Sequence, residues 1–106
     1  MLCRRRCCRN LQNGDIRVEE LRNKLAQGAI LLDVRSKQEY MEGHLKGAIN
    51  IPDYEIDKRV QDEIPKKNQQ IIIYCQYGER SRNVYNKMKN MNYTNIYNLS
   101  GGLEML

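Results

Sequence analysis

Apolar and polar positions follow two periods along the chain. Val18, Leu21 and Leu25 recur at helical spacing, with Glu19 and Glu20 near the start and Gly28 past the end, which predicts a short amphipathic helix. Residues 29–34 form an unalternating apolar run, as a strand buried on both faces does. Ser36 and Glu39 match a capping box and predict a helix that stops near Gly43. Residues 48–51 are a second brief apolar run, ended by Pro52. Ile56, Val60 and Ile64 share a helix face that Pro65 closes. After a polar loop at 66–70, Ile71-Ile72-Ile73-Tyr74 is the most β-prone run and predicts a central strand. Val84, Met88 and Met91 mark another helix, and residues 96–99 a last strand before Gly101-Gly102. Strands alternating with helices predict an α/β domain. Its central parallel sheet has about four to five strands, covered by helices on both faces and joined by right-handed crossovers.

A length of 106 residues gives one domain. Trp and Phe are absent, so Tyr, Ile, Leu and Val must fill the core. The net charge of +5 is concentrated at the start, where Arg4, Arg5, Arg6 and Arg9 stand. Residues 1–14 lack apolar periodicity and end in the turn signal Asn13-Gly14, so they read as a basic, disordered tail before a domain over 15–106. A basic arm on a near-neutral domain is poor support for nucleic-acid binding, and no aromatic recognition pattern or zinc-finger spacing accompanies it. Cys3, Cys7 and Cys8 all lie in this arm, while Cys75 stands alone. That distribution is not a disulfide framework; it places the protein in a reducing compartment, the cytoplasm. No zinc-ligand pattern is present, because the three clustered thiols lack a second pair and His44 is distant. No stretch reaches the roughly 20 apolar residues of a membrane span. Cysteines beside arginines are also potential lipidation sites; a disordered leader or a misplaced start codon is the plainer reading.

The segment with chemical content is Tyr74-Cys75-Gln76-Tyr77-Gly78-Glu79-Arg80-Ser81-Arg82. It joins a buried strand to a helix start, at the carboxyl end of the sheet where α/β folds bind ligands. A helix N-terminus offers unpaired N–H groups and about half a positive charge. A tight loop before it turns further N–H groups inward as an anion nest, and Gly78 supplies the positive φ such curvature uses. Arg80 adds a permanent charge. Together these features favour a Cys75 thiolate and an oxyanion beside it. The competing reading, a small apolar side chain that ends a core strand, leaves the curved polar loop unexplained.

Three motifs together resemble the rhodanese family over residues 15–106. They are Leu32-Asp33-Val34-Arg35 with Glu39-Tyr40, then residues 43–52 from Gly43-His44 to Ile51-Pro52, then the Cys75 loop with Gly101-Gly102 following. The resemblance implies a three-layer rhodanese-like fold and a sulfurtransferase without metal or organic cofactor. Cys75 would be nucleophile and persulfide carrier. Gln76, Tyr77, Gly78, Glu79 and Arg80 would cradle the outer sulfur and the donor's anionic group, with Arg80 as the anion clamp. Asp33, Arg35, His44 and Ser81 would support the structure. Partners would be thiosulfate or a persulfide donor and a thiol, cyanide or protein acceptor. The chain departs from the family pattern at Gln76, where a basic residue is common. Leu106 takes the place of a Trp that opens a further helix, which predicts apolar sheet surface exposed for association.

Two rival functions remain on the sequence. A tyrosine phosphatase or arsenate reductase needs a longer loop, with five residues between Cys and Arg, whereas four separate Cys75 from Arg80. A non-catalytic rhodanese-like binding or regulatory module is the other, and the presence of Cys75 weighs against it.

Overall fold

The computed structural model describes residues 11–106. Its strands are β1 (Asp15–Ile16), β2 (Ile30–Asp33), β3 (Ile49–Asn50), β4 (Ile71–Tyr74) and β5 (Ile96–Leu99). They form one parallel sheet in the order β1-β5-β4-β2-β3. The helices are α1 (Val18–Ala26), α2 (Lys37–Met41), α3 (Ile56–Glu63) and α4 (Glu79–Asn90). Short 3-10 turns cover Asp53–Glu55 and Gly102–Met105. No helix among the described residues is long and apolar enough to cross a membrane.

The apolar runs form the centre of the sheet because both their faces are covered. Ile71, Ile72, Ile73 and Tyr74 are all fully buried. Ile71 and Ile73 face α3 and α4, packing with Ile56, Val60, Val84 and Met88. Ile72 and Tyr74 face the other layer, with Leu21 of α1, Tyr40 of α2, Leu45 and Leu103. Alternate residues of a strand point to opposite faces, so one four-residue strand feeds both cores. The helix over Ile56–Glu63 buries the face its spacing predicts, and Tyr93 locks its end by donating to the Ile64 carbonyl (2.5 Å).

Two features differ from the sequence reading. Residues 11–14, read as tail, are part of the fold: Gly14 accepts from the Asn98 N–H (2.9 Å), just before the edge strand β1. The remainder of the assigned tail, 1–10, lies outside the described residues. Among the described residues the apolar sheet face expected to be exposed near the C-terminus is covered: Leu31, Ile72 and Leu99 are buried with Leu21, Leu45 and Leu103. Apolar exposure falls instead on Leu106, 57% exposed beside a hollow lined by Val18, Leu21, Arg22 and Leu25.

Candidate active site

Cys75 follows the last residue of β4, at the carboxyl end of the sheet's central strand. The chain then curves through Gln76, Tyr77 and Gly78 into α4. Gly78 has φ +110° and serves as the residue before the helix. That conformation suits glycine, and the Cβ of any other residue would sit 3.1 Å from the Gly101 nitrogen. The curve brings two backbone donors onto the sulfur. Gly78 N lies 3.1 Å and Ser81 N 3.3 Å from Cys75 Sγ. The thiol donates to Ser81 Oγ at 3.4 Å, and that hydroxyl in turn donates to the Gly78 carbonyl (3.1 Å). Ser81 thus holds both the sulfur and the loop that surrounds it. Two N–H groups aimed at one atom complement a negative sulfur, as a backbone nest does for any anion.

The loop is clamped from behind by the chain that follows β5. Leu103 N donates to the Cys75 carbonyl (3.0 Å) and Glu104 N to the Gln76 carbonyl (3.1 Å). Gly102 has φ +63°, and a Cβ there would meet the Cys75 and Gln76 carbonyl oxygens at 2.4 and 2.6 Å. The pair Gly101-Gly102 is therefore a close-approach site between two backbones. Sequence reasoning recorded the glycines without this role; two adjacent glycines after a final strand were the available signal.

Asp33 ends the neighbouring strand β2 and pairs with Arg35, two residues beyond it. Arg35 donates to Asp33 from Nη2 (2.8 Å), Nε (3.1 Å) and its backbone N–H (2.9 Å). It also donates to the Gly43 carbonyl (2.7 Å) and to Gln76 Oε1 (3.3 Å). Hydrogen bonding to Asp33 raises the Arg35 pKa against the opposing effect of burial. Asn50 ties the same turn by donating to the Asp33 and Arg35 carbonyls (2.9 and 3.0 Å). His44 stacks on Tyr40, with ring centroids 3.7 Å apart, and its Nδ1 is 2.9 Å from the Tyr40 carbonyl. This exposed contact spans one turn and does not bring His44 to the sulfur.

Arg80 is committed elsewhere than the sequence reading placed it. Its Nη1 and Nη2 donate to both oxygens of Glu39 (2.8 and 3.1 Å). Glu39 also accepts from the Ser36 N–H (3.0 Å) and so completes the capping box of α2. The bidentate pair lowers the Glu39 pKa to about 2 and raises that of Arg80. The guanidinium acts as a strut between α2 and the start of α4. Its carboxylate partner lies 41 positions away in the chain, which no local pattern signals. Gln76 Nε2 donates to Glu104 (2.7 Å), a second site neighbour absent from the sequence reading.

The curated thiosulfate sulfurtransferase PspE of Escherichia coli is 37% identical over 73 residues, covering 69% of each chain. Human thiosulfate:glutathione sulfurtransferase is 32% identical over 99 residues, covering 81% of this chain and 86% of that protein. The human single-domain sulfurtransferase TSTD1 superposes with a TM-score of 0.79 at 29% identity, covering 89% of this chain and 95% of that one. The sheet architecture is thus that of a known fold. Residues 17–105 match the family model of the rhodanese-like domain, and the chain belongs to the rhodanese-like domain family.

Proposed function

We propose that this protein is a single-domain sulfurtransferase in which Cys75 accepts a sulfane sulfur, carries it as a persulfide and passes it to a thiol acceptor. The observation that carries this reading is the pair of N–H groups, Gly78 and Ser81, on Cys75 Sγ at the end of β4. Relatives named thiosulfate sulfurtransferases support the reaction class. In the step, the Cys75 thiolate attacks the outer sulfur of the donor and the donor's S–S bond breaks. For thiosulfate, sulfite leaves with the bonding pair. An acceptor thiolate then attacks the persulfide's outer sulfur, and Cys75 departs as thiolate. The same two donors stabilise it in both roles.

The loop's remaining N–H groups bear on the donor. Those of Gln76, Tyr77, Glu79 and Arg80 have no backbone hydrogen-bond acceptor among the described residues, and Glu79 and Arg80 lie in the first turn of α4. They supply dipoles for the outer sulfur and the leaving anion. Arg80, held by Glu39, contributes shape to the loop more than charge to the donor. A phosphatase reading loses support for the same reason, because that chemistry asks for a guanidinium free to face the phosphoryl oxygens.

Intact mass after incubation with thiosulfate tests the reading. The expected result is a gain of one sulfur, about 32 Da, removed by cyanide and missing in Cys75→Ser. An undiminished gain in Cys75→Ser, or no gain from thiosulfate or any persulfide donor, overturns it.

A further inference from the structure

The Cys75 sulfur and the rim around it have opposite electrostatic character. The Gly78 and Ser81 N–H groups complement a negative sulfur at the centre. The rim is acidic. Both guanidiniums that reach it are already paired, Arg80 with Glu39 and Arg35 with Asp33. Three more carboxylates, Glu79, Glu104 and Asp53, have no ion-pair partner among the described residues. Glu79 is exposed and lies between the two residues that hold the sulfur, at the first position of α4. There it offsets the partial positive charge of the helix N-terminus, which would otherwise draw an anionic donor. Glu104 is exposed and accepts from Gln76, the residue after Cys75, at 2.7 Å. Asp53 opens the 3-10 turn that packs on α4, and its charge acts on Arg80. Among nearby cations, Arg82 is paired with Asp15, Lys37 lines a hollow beside β3, and Arg17 follows the edge strand β1.

Two aromatic rings stand on the same rim. Tyr77, 63% exposed, is in the loop itself, and Tyr54, 68% exposed, follows Asp53. Tyr74, Tyr85, Tyr93 and Tyr97 each have a lysine or arginine over the ring, and Tyr40 stacks on His44. Tyr54 and Tyr77 are the two tyrosines without such a contact among the described residues. A guanidinium or ammonium is the natural occupant of a free ring beside a carboxylate. Exposed rings and carboxylates around a reactive atom suit a protein segment, in which tyrosine and arginine make the main contacts. A small dianion is better held in an enclosed pocket with convergent donors.

We propose that the donor for Cys75 is a persulfidated cysteine in a lysine- and arginine-rich segment of a partner protein, selected over thiosulfate by Glu79, Glu104 and Asp53 and by the rings of Tyr54 and Tyr77. The inference rests on the sulfurtransferase reading above and names its donor. The Cys75 thiolate attacks the outer sulfur of the partner's neutral persulfide, R–S–S–H. A bond forms from Cys75 Sγ to that sulfur, and the partner's S–S bond breaks. The partner's cysteine leaves as thiolate with the bonding pair, beside its own cations, and the proton stays on the transferred sulfur. One S–S bond forms as one breaks, so no oxidant or reductant enters. The rim carboxylates attract the segment's cations and repel both charges of thiosulfate, so the same groups act in opposite senses on the two donors.

The test measures the rate of Cys75 loading in the full chain from three donors. They are thiosulfate and two short peptides, each with one cysteine persulfide, flanked in one by arginines and in the other by glutamates. Loading from the arginine peptide should be about tenfold faster than from the glutamate peptide at low ionic strength, with the ratio shrinking as salt rises. The variant D53N/E79Q/E104Q should lower that ratio about fivefold and load from thiosulfate severalfold faster. The variant also separates the rim's contribution from the intrinsic reactivity of the two persulfides. A peptide ratio that salt does not change in the unaltered protein overturns the proposal without recourse to the variant. An unchanged ratio in the variant, or faster loading from thiosulfate than from the arginine peptide at equal concentration, overturns it as well. Each of these results leaves the sulfurtransferase reading intact, because Cys75 is loaded. No loading of Cys75 from any of the three donors overturns both readings.

Discussion

Two turns leave the carboxyl ends of adjacent central strands, and they use their polar groups in opposite ways. The turn after β2 is closed. Asp33, Arg35, Asn50 and the Gly43 carbonyl satisfy one another within a buried network. The turn after β4 is open. It spends two of its N–H groups on the Cys75 sulfur, and those of Gln76, Tyr77, Glu79 and Arg80 have no backbone acceptor among the described residues. Arg35 and Gln76 join the two turns at 3.3 Å. A closed network builds a fixed wall, and an open one does chemistry against it. The contrast predicts that damage to the first turn appears as lost stability and damage to the second as lost transfer.

The largest effect should come from the closed turn. Asp33→Ala leaves the Arg35 guanidinium buried without its carboxylate, since side-chain exposures are 5% and 0% in the pair. Breaking a buried pair in this way costs about 3–5 kcal/mol. Urea denaturation should show that loss, and transfer activity per folded molecule should hold within a few-fold. A loss below 1 kcal/mol would erase the distinction between the turns.

Gly102→Ala attacks the open turn from behind. The new Cβ would meet two carbonyl oxygens of the loop at 2.4 and 2.6 Å, and its φ of +63° is unfavourable for alanine. Strain of this kind costs about 1–3 kcal/mol. Because the atoms that must move belong to Cys75 and Gln76, sulfur loading should fall more than tenfold while the melting transition stays cooperative. Loading at the original rate would mean the loop does not depend on this contact.

These two sites also mark where the sequence was readable. The central strands and three of the helices follow from apolar periodicity, because burial on one or both faces is a local property of the run. Gly78 was legible for another reason, the positive φ that a tight loop before a helix asks for, whereas Asp33 and Arg35 were read as structural support without a fixed partner. The two-residue strand β1 was not legible. Asp15 is polar and is held by Arg82 and Asn98, which lie 67 and 83 positions on. The Glu39–Arg80 pair was equally hidden, although both residues were noticed separately. Each had a sufficient local explanation, a helix cap and an anion clamp, and only the packing of α2 on the Cys75 loop joins them. The backbone contact at Gly102 depends on how β5 ends relative to β4.

The Glu39–Arg80 pair sits between the two turns and carries a pH signature. The Glu39 pKa falls from 4.5 to about 2 in the fold, chiefly through its hydrogen bonds to Arg80. A carboxylate with a depressed folded pKa adds stability that is full above pH 4.5 and is lost as pH drops toward 2. Both side chains are about one-third exposed, so solvent screening reduces the contribution to about 1 kcal/mol. Glu39→Gln should remove that component, giving a smaller stability loss than the unaltered protein shows between pH 5 and pH 2.5. Identical slopes would show that the pair adds nothing.

The smallest expected effect sharpens the contrast at the contact where the turns meet. Gln76 accepts from Arg35 and donates to Glu104, so as a neutral amide it offsets the charge of neither. Gln76→Lys replaces an amide by a cation at that point. The ammonium would pair with Glu104 and lessen the repulsion felt by a doubly charged donor. Exposed charges in water interact by about 1 kcal/mol or less at contact distance, so the gain is bounded at severalfold. The KM for thiosulfate should fall about two- to fivefold at low ionic strength, with kcat nearly unchanged and the benefit gone at high salt, because the reacting sulfur keeps its two N–H donors. The Arg35 network loses only its longest hydrogen bond, so stability should move by less than about 1 kcal/mol. A large change in kcat would mean that Gln76 acts on the sulfur itself, and the open turn would then extend one residue closer to the chemistry than its geometry indicates.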